Sequence, residues 1–189
     1  MPQRILIAGL GNELCGDDGV GVYACRLLAP RVAALGRDEL VVAEIGTAVQ
    51  DALHLLEQTD YVLAIDAMQA GGPPGSIYLC EAEELAAEGR TSLHQLGLLG
   101  ALELLALEHA AAATDGSAPA TEPADSAAER AARAQARRWR RPRVEILGVE
   151  PESLELGLGL SRAVQAALPR LLEQIWQQVN RWLQAGHLG

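Results

Sequence analysis

The stretch from Arg4 to Val22, Arg4-Ile5-Leu6-Ile7-Ala8-Gly9-Leu10-Gly11-Asn12-Glu13-Leu14-Cys15-Gly16-Asp17-Asp18-Gly19-Val20-Gly21-Val22, restricts the fold more than any other. Its unbroken apolar run from Ile5 to Ala8, bounded by glycine, reads as a strand buried on both faces, the form that parallel sheets take. Gly9 and Gly11 allow a sharp backbone turn, and Asn12 suits the same turn. Asp17 is expected to N-cap the helix that follows, whose inner face would carry Val20, Tyr23, Ala24, Leu27 and Leu28. Strand, glycine turn and helix point to an open parallel sheet, in which ligands bind beyond the carboxyl ends of the strands. The pattern is not a dinucleotide fingerprint. Gly9-x-Gly11-x-x-Leu14 lacks the third glycine, and an acidic pair repels phosphate where phosphate would sit.

The same alternation continues. Leu40 to Ile45 reads as a second strand, and 48–58 as a helix with Val49, Ala52, Leu53 and Leu56 inward and His54 at the surface. Tyr61 to Ile65 is the clearest buried strand and runs directly into Asp66. A Gly/Pro-rich loop leads to an edge strand over Ser76 to Cys80, with Cys80 expected as a small core residue. Ser92 is an N-cap for a helix striped by Leu96, Leu99, Leu102, Leu105 and Leu107, with His94 in its first turn. A helix N-terminus disfavours imidazolium, so a neutral, ligand-competent His94 is expected there. From Ala110 to about Ser126 the chain is low-complexity, and Ala127 to Arg141 follows as an alanine-rich helical pattern ended by Pro142. Val144 to Val149 returns as a strand. Ser161 caps a final amphipathic helix that Pro169 should kink or restart. The predicted fold class is α/β: a three-layer α/β/α sandwich around a mostly parallel sheet of about five strands. A single domain over 1–189 would carry an Ala/Arg-rich insertion at about 110–142.

Composition removes several chemistries. All 15 basic residues are Arg, so Schiff-base lysines and a phosphate-loop lysine are absent. Seven of those arginines fall between Arg130 and Arg143 with no acid among them, leaving 8 against 25 acids elsewhere, a balance of −17. That run reads as a solvated face balancing an acidic body, and the sharper reading is a docking patch for an acidic protein. A formal charge of −10 argues against nucleic acid and membrane surfaces as partners. Cys15, Cys25 and Cys80 are scattered and odd in number, as in a reducing compartment. No leader and no run of membrane-spanning length is visible, so a soluble cytoplasmic protein is expected.

Asp18 follows the first strand, Asp66 ends the third, and His94 opens a helix able to return to the same edge. Two carboxylates and one imidazole meeting there would form an open metal site with room for a further ligand. Gly9-Leu10-Gly11-Asn12 with Gly16-Asp17-Asp18-Gly19-Val20-Gly21, then Asp66-Ala67, His94-Gln95-Leu96-Gly97, and Leu147-Gly148-Val149-Glu150-Pro151-Glu152-Ser153, resemble the hydrogenase maturation endopeptidase family. The resemblance implies an α/β/α sandwich and a peptide hydrolase acting on the large-subunit precursor of a nickel–iron hydrogenase. Such an enzyme removes a C-terminal extension once nickel has been inserted. It implies Asp18, Asp66 and His94 as catalytic and metal-contacting residues, with nickel supplied by the substrate and no permanently bound cofactor. A site of this donor set holds nickel weakly by itself, so the precursor's own thiolates must supply most of the affinity. The chain departs from the family at Glu44-Ile45-Gly46-Thr47, where Asp-Gly-Gly-Thr is common, and in the length of its insertion. Cys15 is a poor candidate nucleophile, since no family role attaches to its position. Two other readings compete: a non-catalytic metallochaperone or precursor-holding protein, and a peptidyl-tRNA hydrolase-like esterase. The esterase reading fails on Glu13-Leu14, where that family wants Pro-Gly, and on the negative charge.

Overall fold

The computed structural model of the chain describes residues 3–87, 92–114 and 139–185. In chain order its elements are β1 (Ile5–Leu10), α1 (Val20–Leu35), β2 (Leu40–Gly46), α2 (Leu53–Glu57), β3 (Tyr61–Ala67), β4 (Ile77–Glu81), α3 (Ala82–Ala87), α4 (Leu93–Thr114), β5 (Arg143–Val149) and α5 (Arg162–Ala185). Short 3₁₀ turns cover Gly16–Gly19 and Val49–Ala52. The five strands form one sheet in the order β2-β1-β3-β5-β4, parallel except for β4, which runs antiparallel to β5 at the edge.

Two cores flank this sheet and make three layers. On one face Ile5, Ile7, Leu63 and Ile65 pack with Ala24 and Leu28 of α1 and with Val164, Leu171, Ile175 and Val179 of α5. On the other, Leu6, Ala8, Val62 and Ala64 pack with Leu56 of α2, Leu85 of α3 and Leu98 and Leu102 of α4. The strictly alternating assignment of β1 side chains explains its continuous apolar run, since both faces are covered. Each buried leucine, isoleucine or valine among them contributes about 1.5–3 kcal/mol.

The glycine block works by close approach. Gly11 holds φ +106°, and a Cβ there would lie 1.8 Å from the Asp18 carbonyl oxygen. A Cβ on Gly21 would lie 2.1 Å from the Ile65 carbonyl oxygen, so only glycine lets α1 begin against the ends of β1 and β3.

Several expectations are corrected by packing. Asp17 does not cap α1, whose N-cap is Gly19 with no side-chain cap bond; Asp17 lies one turn earlier, inside the 3₁₀ turn. Leu27 is exposed, and Val22 and Cys25 are buried in its stead, because the later start of α1 rotates the inward face. In α4 the inward stripe is Gln95, Leu98, Ala101, Leu102 and Leu105, while Leu96 and Leu107 face solvent. The helix expected over 48–58 is a 3₁₀ turn followed by the short α2. His54 is exposed, as expected, and Cys80 is half-buried against the second core rather than enclosed by it. Helix α5 runs on through Pro169 without a restart, and α3 was not anticipated. The expected insertion overlaps α4, which extends to Thr114. Residues 115–138 lie outside the described residues, with most of the arginine run. Trp139 to Pro142 are irregular rather than helical, and Trp139 stacks on His109 of α4 with ring centroids 4.9 Å apart.

Candidate active site

The strand order reverses between β1 and β3: β2 lies to one side of β1 and the later strands to the other. In an open α/β sheet a crevice opens beyond the strand ends at such a point. Asp18 follows β1 and Asp66 ends β3, so both acids meet there.

Asp66 is fully buried, and three uncharged donors hold it. Its own strand supplies the Ala67 N–H to Oδ1 at 3.0 Å. The start of α4 supplies the rest: the Ser92 hydroxyl donates to Oδ2 at 2.6 Å and the Gln95 amide at 3.0 Å. Ser92 and Gln95 also cap the helix reciprocally. The Gln95 N–H donates to Ser92 Oγ at 3.1 Å, and the Ser92 N–H donates to Gln95 Oε1 at 3.1 Å. This is the Ser-x-x-Gln capping box. One device therefore starts α4, orients Asp66 and sets down His94 between its two members. Gln95 was missed by the sequence reading, although Ser92 with a glutamine three residues on was the signal for it.

Asp18 is half-buried, and its Oδ2 accepts the Asn12 N–H at 2.9 Å, so the glycine turn aims it. His94 Nδ1 lies 3.5 Å from Asp66 Oδ1 and 3.8 Å from Asp18 Oδ1. One ligand atom from each of Asp18, Asp66 and His94 falls within 4.8 Å of the others, so the structure brings together all three residues singled out in the sequence. His94 Nδ1 is buried and has no well-formed hydrogen-bond partner among the described residues. The polar contact with Asp66 heads the causes that hold the His94 pKa above the ordinary 6.5; burial opposes it, and the charges of Asp66 and Asp18 add to it. At 3.5 Å the contact lies at the outer limit of hydrogen bonding, so we assign this attraction chiefly to charge. Where the helix N-terminus alone would disfavour the imidazolium, the two carboxylates act the other way. A buried nitrogen without a partner, facing two carboxylate oxygens, is a donor set suited to a cation.

The neighbouring acids have other work. Asp17 is buried, and its carboxylate accepts the N–H groups of Glu152 at 2.8 Å, Ser153 at 3.3 Å and Ser161 at 2.6 Å, tying the β5–α5 loop to the turn that carries Asp18. Glu150 accepts the N–H groups of Ala70, Gly71 and Gly72 and the Tyr78 hydroxyl, which shapes the loop after Asp66. Burial acts to raise its pKa, but those donors together hold it below the ordinary 4.5. Neither role was legible from single positions. Glu44 pairs with Arg26 at 2.7 Å, and Arg26 also grips Glu13, fixing the β2 end beside the glycine turn. Ile45 packs in the second core. Cys15 stands outside the triad; its sulfur accepts the Asn12 amide at 3.4 Å. Burial pushes the Cys25 thiol up to about 12, which removes it as a nucleophile.

Comparison with known proteins agrees with this fold. A family model described as hydrogenase maturation protease matches residues 26–118. Over 176 residues the chain is 28% identical to the Hydrogenase 2 maturation protease of Escherichia coli (strain K12), covering 92% of this chain and 88% of that one. The structure of the hydrogenase maturating endopeptidase HybD from E. coli superposes with a TM-score of 0.69 at 25% identity, covering 95% and 93% of the two chains. These matches agree on one family, the hydrogenase maturation proteases. That family is one of peptidases. The [NiFe] hydrogenase maturation protease HybD from Thermococcus kodakarensis shares the fold, with a TM-score of 0.65 at 24% identity over 93% of this chain and 99% of the other. Among the described residues no helix is long and apolar enough to cross a membrane.

Proposed function

We propose that this protein removes a C-terminal extension from the nickel-loaded large-subunit precursor of a nickel–iron hydrogenase, with Asp18, Asp66 and His94 contacting the precursor's metal. The observation that carries the reading is the unpartnered, buried His94 Nδ1 facing two oriented carboxylates at the sheet's switch point. Three protein atoms leave a divalent ion further positions, and the precursor's own donors take them. One imidazole and two carboxylates, without a thiolate from this chain, bind nickel weakly alone. Occupancy of the triad then requires a precursor that already carries the metal, and a metal-free precursor leaves the triad unfilled. Ser92, Gln95 and Asn12 act before any substrate arrives, by fixing where the carboxylates stand. A bound divalent ion supplies Lewis acidity toward a neighbouring carbonyl. No resident cofactor is part of this reading.

The test is the mass of nickel-loaded and nickel-free precursor before and after incubation with the protein. Loss of a C-terminal peptide from the nickel-loaded sample alone is expected, and Asp18→Ala, Asp66→Ala and His94→Ala should each abolish it. Binding of the cognate precursor without mass loss would replace the reading with a metallochaperone.

A further inference from the structure

The β5–α5 loop has an unusual sequence, Leu154-Glu155-Leu156-Gly157-Leu158-Gly159-Leu160, in which leucine alternates with glutamate or glycine. Leu160 enters the core, but Leu154 is exposed and Leu156 and Leu158 are 86% and 84% exposed. Irregular chain of this composition has little reason to stay fixed, yet both its ends and its middle are tied. The Asp17 carboxylate takes the N–H groups of Glu152 and Ser153 before it and of Ser161 after it. In the middle, the Gly157 N–H donates to the Leu14 carbonyl at 2.9 Å and the Gly16 N–H donates to the Gly157 carbonyl at 2.8 Å. Leu14 is exposed as well. Leu93, immediately before His94, is 84% exposed.

We propose that Leu14, Leu156 and Leu158, with Leu93 beside His94, form an apolar platform that seats hydrophobic side chains of the precursor polypeptide flanking its metal. The proposal rests on the endopeptidase reading. Continuity identifies the occupant. Asp17 anchors the leucine loop, and Asp18, the next residue, supplies an oxygen of the triad, so platform and triad are two ends of one rigid turn. A polypeptide that delivers a metal to Asp18 arrives beside the turn to which these leucines are tied. Holding the loop in place beforehand removes the ordering cost from the binding step, and leucines left in water gain most by being covered.

The experiment compares wild type, the Leu156→Ser/Leu158→Ser pair and Leu107→Ser for affinity toward the nickel-loaded large-subunit precursor, read by fluorescence anisotropy, with mass spectrometry of the same mixtures. Leu107 is an exposed leucine near the far end of α4 and serves as the control. The pair is expected to weaken binding by roughly 10-fold or more with an unchanged thermal midpoint, since exposed side chains add little to the fold. Leu107→Ser should match wild type. Equal affinity of the pair and wild type would overturn the platform, as would an equal loss in Leu107→Ser. A wild-type dimer in sedimentation that the pair dissolves would also overturn it, because the leucines would then seat a second copy. Wild type that binds but leaves the precursor mass unchanged refutes the endopeptidase reading alone, and the affinity ratio still decides the platform.

Discussion

Two acids on neighbouring strands show how differently this sheet treats its ends. Asp66 pairs in register with Gly148 on β5, and three positions earlier Leu63 pairs with Glu145. The two carboxylates therefore stand roughly 10 Å apart along the strand direction. Both are buried. Glu145 is answered by permanent cations: Arg143 lies 3.2 Å away, and Arg143 also pairs with Glu81. Burial raises its pKa, and the charges of Arg143 and Arg181 only partly offset that. The bonds that Asp66 receives from Ala67, Ser92 and Gln95 are all from uncharged donors, and its charge is directed at an imidazole. An arginine fills a carboxylate for good, whereas neutral donors orient it and leave its charge available to an arriving cation. The same residue chemistry is structural at one end of the sheet and receptive at the other.

Substitutions at the two ends should separate sharply. Asp66→Asn is expected to keep the fold and lower cleavage of nickel-loaded precursor on the order of 10³-fold, while Glu145→Gln leaves the rate within about two-fold. Rate assays by precursor mass check both, and similar losses would erase the contrast. Gln95→Ala comes next. It removes an orienting donor rather than a contact to substrate, and a 10- to 100-fold loss is expected with the metal requirement intact. Glu150→Ala should act on stability, costing on the order of 2–3 kcal/mol in denaturant unfolding because three loop N–H groups lose their acceptor.

The smallest effects are pH slopes of opposite sign. Glu150 has a depressed pKa in the folded state, so its stabilisation is present above 4.5 and disappears as pH falls through the lower folded value. Glu145 has a raised pKa, so its stabilisation is complete below 4.5 and is lost as pH rises through the folded value. Relative to wild type, Glu145→Gln should therefore lose ground as pH is lowered from 7 toward 4.5. Glu150→Gln should instead gain ground as pH is lowered below 4.5. Unfolding curves across that range read both, and parallel curves would refute the assignment.

Legibility in the sequence followed how local each determinant was. The buried strands Ile5–Leu10 and Tyr61–Ala67 were readable because both of their faces are apolar, and Asp66 was readable because it interrupts such a run at its end. The triad needed the order of strands in the sheet, which no spacing carries, and the family resemblance supplied it. The inward face of α4 was misjudged because leucine and alanine occur all round that helix, so periodicity did not choose a side. Gln95 was the polar residue on the buried side and would have set the phase. Leu27 failed for a related reason, since the 3₁₀ turn at Gly16–Gly19 delays α1 and shifts its facing. Asp17 and Glu150 were opaque because their partners lie 144 and about 80 residues away.

Those long separations set an order of events during synthesis. All three triad residues have been made once the chain reaches His94. The turn bearing Asp18 is secured only when Glu152, Ser153 and Ser161 reach the Asp17 carboxylate. Likewise β5 lies between β3 and β4, so β4 waits beside an open gap until the last strand is inserted. Non-local pairing of this kind is slow to form, and ribosomal synthesis delivers its final partners last. A partly made chain carries the three triad residues without the frame that aims them, so the site is complete only once the last third has folded.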